Sequence, residues 1–227
     1  PIFIDNNQYT ELVIYPNFSP SDFTLDVVLY DFDGVEIHRS ESFLTISSKD
    51  SKLLKINFNE LIDNLDIDKN KVKSAHLISN FKNKIPSRLK FGLNVGLNNL
   101  QSKVPCNICF NSRVGNPLIE NKPGSFHWCP FFNDGGILTI ANFSPKKNYA
   151  KSGNVTLQFY NNHSLVLEKN LMLSPCSEFR LDATSPEIKA IIQNESIWVT
   201  IESDNPNIQG FYFNFHKSGS VAGDHFF

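Results

Sequence analysis

Short runs of apolar residues, many alternating with polar ones, follow one another along the chain with turn residues between them. A period of two is the mark of a half-buried β-strand. Val155-Thr156-Leu157-Gln158-Phe159-Tyr160 and Ile197-Trp198-Val199-Thr200-Ile201 are two such runs. The runs also recur in order. Asn17-Phe18-Ser19-Pro20 returns as Asn142-Phe143-Ser144-Pro145, preceded by Leu12-Val13-Ile14-Tyr15 in one case and Ile137-Leu138-Thr139-Ile140 in the other. Leu25 to Tyr30 then corresponds to Val155 to Tyr160, each closed by a polar turn, Asp31-Phe32-Asp33-Gly34 or Asn161-Asn162-His163-Ser164. Both segments read as hairpins. Returning strands at Val35 to Ile37 and Leu165 to Leu167 lead to Leu44 to Ser47 and Leu171 to Ser174. Leu54 to Ile56 and Phe179 to Leu181 come next.

A short helix is predicted at the same place in each half. Ser185 suits the N-cap, Pro186 the first helical position and Glu187 the first turn, ahead of Ile188, Ala190, Ile191 and Ile192. In the first half, Leu61, Ile62 and Leu65 stand at helical spacing within Phe58 to Leu65. Two further strands end each half: His76 to Ser79 with Leu89 to Phe91, and Ile197 to Ile201 with Phe211 to Phe215. The tails Ser102 to Phe110 and Gly219 to Phe227 line up in turn. The expected fold is all-β: two homologous, immunoglobulin-like antiparallel β-sandwich units from an internal duplication, each with one short helix. Residues 1–110 form the first unit, 111–125 a linker holding Gly115, Pro117, Pro123 and Gly124, and 126–227 the second. Pro1-Ile2-Phe3 matches Pro130-Phe131-Phe132, so the first unit is expected to lack a strand that the second has upstream.

Composition narrows the function classes. With 21 basic and 23 acidic residues the chain has a net charge of -2 and no surplus of cations for phosphate backbones, which argues against nucleic acid as a partner. No window approaches the length of an apolar membrane span. The start has neither an initiator Met nor a basic leader, and reads as trimmed. The 27 asparagines make the five N-x-S/T sequons at Asn17, Asn142, Asn154, Asn162 and Asn194 cheap matches. Cys106, Cys109, Cys129 and Cys176 are too few for a disulfide scaffold. They leave the compartment open, with a lean to the cytoplasm.

The succession of Asn-rich loop, hairpin, polar turn, short helix and Val199 to Gly210 (Val-Thr-Ile-Glu-Ser-Asp-Asn-Pro-Asn-Ile-Gln-Gly) resembles small bacterial β-sandwich modules of the sensory-rhodopsin-transducer type. Their sheets are arranged similarly to carbohydrate-binding domains. The resemblance implies a sandwich with a non-catalytic binding role. It departs from that family in being a tandem, and it carries over no functional residue.

Three groups of residues have candidate chemistry. In Phe126-His127-Trp128-Cys129-Pro130, a strand would point His127 and Cys129 to one face, and Asp224 and His225 close the same repeat. If the first and last strands lie side by side, His127, Cys129 and His225, with Asp224 assisting, suit a zinc site with an open position. The competing reading makes His127 a hydrogen-bonded scaffold residue, Cys129 core and Asp224 a turn cap. Second, Cys106 and Cys109 have metal-ligand spacing, but a strand would turn them to opposite faces; a ribbon with His127 and Cys129 requires a loop instead. Third, Tyr212, Asn214 and His216 alternate with Phe211, Phe213 and Phe215. With the phenylalanines and Trp198 assigned to the core, Tyr212, Asn214 and His216 form a polar ligand platform. The acidic pairs Asp31 with Asp33 and Asp66 with Asp68 read as turn chemistry.

The second half holds Asp224, His225 and His216 where the first is read as holding Asn107, Ile108 and Asn94, an asymmetry that points to a role for the second unit. No nucleophile elbow, phosphate loop or H-E-x-x-H motif is present. The expected function is a non-catalytic binding or interaction protein for a glycan, another small molecule or a protein, without a required cofactor. The alternatives are a metal-dependent enzyme centred on His127 and His225, with zinc as the metal, and a structural protein that assembles, or forms a homo-oligomer, through exposed sheet edges.

Overall fold

The computed structural model describes residues 1–4, 7–16, 19–84, 89–98, 105–111, 121–146, 148–192 and 196–227. The chain divides into two compact units, Pro1–Val114 and Gly115–Phe227. The first holds β1 (Gln8–Ile14), β2 (Phe23–Tyr30), β3 (Glu36–Ile46), β4 (Leu54–Asn57), α1 (Phe58–Asn64), β5 (Ser74–Phe81), β6 (Lys90–Leu97) and β7 (Cys106–Asn111). The second holds β8 (Ser125–Phe131), β9 (Gly136–Asn142), β10 (Gly153–Asn161), β11 (Ser164–Leu173), β12 (Glu178–Asp182), α2 (Pro186–Ile192), β13 (Ile197–Ser203), β14 (Ile208–Phe215) and β15 (Val221–His225). Among the described residues, no helix is long and apolar enough to cross a membrane.

The protein is all-β with two short helices, and all the strand pairs are antiparallel. The first unit pairs its strands as β4-β1-β6-β7 and β3-β2-β5; the second as β12-β9-β14-β15 and β11-β10-β13-β8. The two orders are the same except for β8, which adds a fourth strand beside β13. In the first unit Ile2, read as the counterpart of Phe131, bonds to the residue just before β5: its N–H donates to Lys73 O at 2.9 Å.

Each core lies between two sheets. In the second unit Cys129, Phe131, Val155, Leu157, Phe159, Val199 and Ile201 from one sheet meet Leu138, Ile140, Leu181 and Ile208 from the other, with Ile188 and Ile192 of α2. In the first, Leu25, Val27 and Leu29 face Leu12, Ile14, Ile56 and Phe91, with Leu61 and Ile62 of α1. Each fully buried Leu, Ile or Phe contributes about 1.5–3 kcal/mol.

The caps differ between the helices. Asn57 caps α1 through Oδ1, which accepts from Asn59 N at 2.9 Å and Glu60 N at 3.4 Å. Ser185 precedes α2 as expected, and its carbonyl accepts from Lys189 N at 2.9 Å, but its hydroxyl is buried without a partner among the described residues. The first hairpin turn is held by Asp31 Oδ1, which accepts from Asp33 N and Val35 N at 2.9 and 2.8 Å, with Gly34 at φ 83°. Asp68 Oδ1 accepts from Asn70 N in the same way.

Two core assignments are corrected. Trp198 is 48% exposed, because it shares a face with Thr200 and Glu202 while Ile197, Val199 and Ile201 point inward. On β14 the sense of the alternation is reversed. Ile208 belongs to the core and Tyr212 packs against it, so Phe211, Phe213 and Phe215 lie on the opposite face. Phe213 is nonetheless 1% exposed, ringed by Phe211 and Phe215 at 6.3 and 6.1 Å.

Candidate functional site

The proposed metal ligands do not converge. His127 and Cys129 share a face, as their spacing requires, and that face looks into the sandwich. Cys129 is 0% exposed, and burial pushes its thiol up to about 12, so it remains a thiol at neutral pH. His127 sits against the Phe226 ring at 5.9 Å, with Nε2 3.2 Å from Ile208 O. His225 pairs with Phe211, on the outward side of β14, and its Nδ1 lies 2.7 Å from Asp224 Oδ1. One imidazole is inside the sandwich and the other outside. Among the described residues no three His, Cys, Asp or Glu side chains are grouped to hold a metal. The first and last strands of the unit lie in different sheets, and only the tail beyond β15 reaches β8: Trp128 and Phe227 exchange both backbone hydrogen bonds, at 3.1 and 3.2 Å. Cys106 and Cys109 face opposite sides of β7, the first buried and the second exposed.

Tyr212, Asn214 and His216 do not form an open platform. Tyr212 is half-buried against the core, and Asn214 has a buried Oδ1 without a partner among the described residues. His216 Nδ1 accepts from Ser218 N at 3.1 Å, and its Nε2 lies 3.7 Å from Asp134 Oδ2.

The asymmetry between the halves also shifts, by one position on the last strand and by three on β14. Matching core-facing rungs sets Leu12, Leu93 and Ile108 on Leu138, Tyr212 and Asp224. Asp224 thus stands where the first unit has Ile108, His225 where it has Cys109, and Phe213 where it has Asn94. The tetrapeptide alignment misplaces the first strand because Tyr15-Pro16 separates Ile14 from Asn17, whereas Ala141 alone separates Ile140 from Asn142. A slip of one residue exchanges the faces of a strand. Asn17 itself lies outside the described residues.

The surface with the clearest binding chemistry is the outer face of β8-β13-β10-β11. Three rungs cross it: Pro130, Trp198 and Tyr160; Trp128, Thr200, Gln158 and Glu168; Phe126, Glu202, Thr156 and Asn170. Phe126, Trp128 and Trp198 are 63%, 41% and 48% exposed. Trp128 touches Trp198 at 5.2 Å between ring centroids and Phe227 at 5.0 Å. Beside the rings runs an oriented polar chain. The Tyr160 hydroxyl donates to Gln158 Oε1 at 2.9 Å, and Gln158 Nε2 donates to Glu168 Oε2 at 2.9 Å. Thr156 Oγ1 donates to Asn170 Oδ1 at 2.7 Å, and Asn170 Nδ2 lies 3.5 Å from Glu168 Oε1. Hydrogen bonds among these groups fix their rotamers before any ligand arrives, which lowers the entropy cost of binding.

These residues were missed although a signal existed. The alternation of β13 groups Trp198 with Thr200 and Glu202, and that of β8 groups Trp128 with Phe126. Among the described residues, the first unit has no counterpart of this platform. Its three-stranded sheet lacks the strand that carries Trp128, and at the matching outward positions Val28 is 0% and Tyr30 9% exposed. It does carry a polar strip on its other sheet, where Lys55 Nζ and Asn94 Nδ2 meet Glu11 Oε2 at 3.2 and 3.0 Å and Asn107 Nδ2 donates to Asn94 Oδ1 at 2.6 Å. Compared with known proteins, the chain matches no family model, no curated protein and no solved structure.

Proposed function

We propose that this is a non-catalytic binding protein, built by internal duplication of a β-sandwich, that holds a glycan on the outer face of β8-β13-β10-β11. The observation that carries the reading is the pairing on one face of exposed rings, Phe126, Trp128 and Trp198, with the oriented chain from Tyr160 through Gln158 to Glu168. A sugar ring offers C–H groups to an aromatic face and hydroxyls to amides and carboxylates, and this surface supplies both kinds of partner. The sequence resemblance to small binding modules points the same way. The metal-dependent alternative draws no support from His127 and His225, which face different sides of the unit.

Electrophoresis through gels containing a panel of neutral and charged polysaccharides tests the reading. The protein is expected to be retarded by at least one of them. Trp128→Ala and Trp198→Ala each remove an aromatic anchor, for a loss of about 2 kcal/mol, or roughly 30-fold in affinity. Migration that no polysaccharide alters, or retardation that survives both substitutions, overturns it.

A further inference from the structure

The charge on this face narrows the ligand class, given the glycan reading above. Among the described residues, the outward positions of β8, β10, β11 and β13 include no Lys or Arg, whereas they hold two carboxylates, Glu168 and Glu202. Glu168 accepts from the neutral amide of Gln158 and has no cationic partner among the described residues. Lys169, next to it in sequence, points to the other side of the strand and spends its ammonium on Glu187 at 2.6 Å, over the Phe179 ring. Glu202 is exposed and has no hydrogen-bond or ion-pair partner among the described residues. Its cross-strand neighbours are Phe126 on β8 and Thr156 on β10, and Trp128 occupies the next outward rung. Directly opposed side chains have Cβ atoms about 4.5–5.5 Å apart, and diagonal ones about 7–8 Å. A free carboxylate among ring faces is the combination that recognises an ammonium group, through ion pairing and through attraction of the cation to the rings. The same carboxylates repel sulfated and uronic chains.

We infer that the site prefers saccharides bearing protonated amino groups, and that Glu202 supplies the preference. The probe is a hexamer of β-1,4-linked glucosamine, with its fully N-acetylated counterpart as the uncharged twin. Binding is measured by titration calorimetry at pH 6, where the amines are protonated. The glucosamine hexamer is expected to bind at least tenfold more tightly than the acetylated one. Glu202→Gln is expected to bring the two affinities within about threefold of each other. Circular dichroism checks the fold of each variant, which an exposed Glu→Gln change on a strand leaves intact. Equal or tighter binding of the acetylated hexamer overturns the inference and leaves the glycan reading standing. Glucosamine binding that persists unchanged in Trp128→Ala also overturns it, since attraction to net charge then needs no site. If neither hexamer binds, the preference is refuted, and silence across the polysaccharide panel as well removes the glycan reading beneath it.

Discussion

Replacing Asn205 with Ala should be among the most damaging polar substitutions in the second unit. Asn205 is 0% exposed in the loop between β13 and β14. Its Nδ2 lies 2.7 Å from Tyr149 Oη and 3.2 Å from each of Asn142 Oδ1, Lys151 O and Ser152 O, and its Oδ1 accepts from Asn207 N at 3.0 Å. Three of these partners keep other hydrogen bonds. Tyr149 Oη still donates to Asn142 Oδ1 at 2.7 Å, and Lys151 O still accepts from Asn142 Nδ2 at 2.8 Å. Ser152 O and the buried Asn207 N–H lose their partner. At about 1–3 kcal/mol for each orphaned group, the expected cost is about 4 kcal/mol. The loop also receives Ser125 Oγ at Asn205 O, 3.0 Å away, so the start of β8 and the aromatic platform depend on it. Both tryptophans, Trp128 and Trp198, belong to the second unit, so their emission during urea unfolding reports that unit alone. With a slope of about 1.5 kcal/mol per molar urea, the midpoint should fall by roughly 2.5 M. A loss below about 1 kcal/mol at unchanged slope would show that the network is not a stabilising unit and refute the reasoning.

Two further predictions concern titratable groups. Burial, with nearby positive charge second, lowers the His76 pKa from 6.5 to about 3 in the folded first unit. Above about pH 6.5 the ring is neutral folded or unfolded, and stability is complete; as pH falls toward 3 only the unfolded chain takes the proton. The loss approaches about 1.4 kcal/mol per pH unit, so up to about 3 kcal/mol between pH 7 and 4. Chemical unfolding followed by circular dichroism should show His76→Gln with a flatter profile, and parallel profiles would exclude the effect. For the thiols, Cys109 is exposed whereas Cys129 is buried with its pKa near 12. A disulfide reagent at pH 8 should modify Cys109 in the native protein and reach Cys129 only in denaturant, with mass mapping of each peptide as the check; native labelling of Cys129 contradicts its place in the core.

Much of this fold could be read along the chain. Val155, Leu157 and Phe159 alternate with Thr156, Gln158 and Tyr160, so the partition of the strand into an apolar and a polar face needs no neighbour to define it. The Asp31 turn and α1 are likewise local, because an Asx side chain and an Asn57 cap act within three or four residues of themselves. On β14 the same rule supplied the partition but not the choice of face. Three phenylalanines outweigh Tyr212 and Asn214 in hydrophobicity, yet the inward side is the one that holds Ile208 and Gly210. The Phe226 ring lies where a Cβ on Gly210 would be, with ring carbons within 2.5 Å of that point, so this side is closed by a residue 16 positions away. The grouping of Trp128 with Trp198, and the separation of His127 from His225, arise in the same manner, since period-two geometry is a property of one strand whereas adjacency belongs to the pairing of β8 with β13 and of β14 with β15. The sequence therefore determined which residues share a face, and tertiary structure alone decided which face is buried and which side chains from distant strands meet on it, because those outcomes depend on non-local pairings whose register shifts with a single residue in a loop.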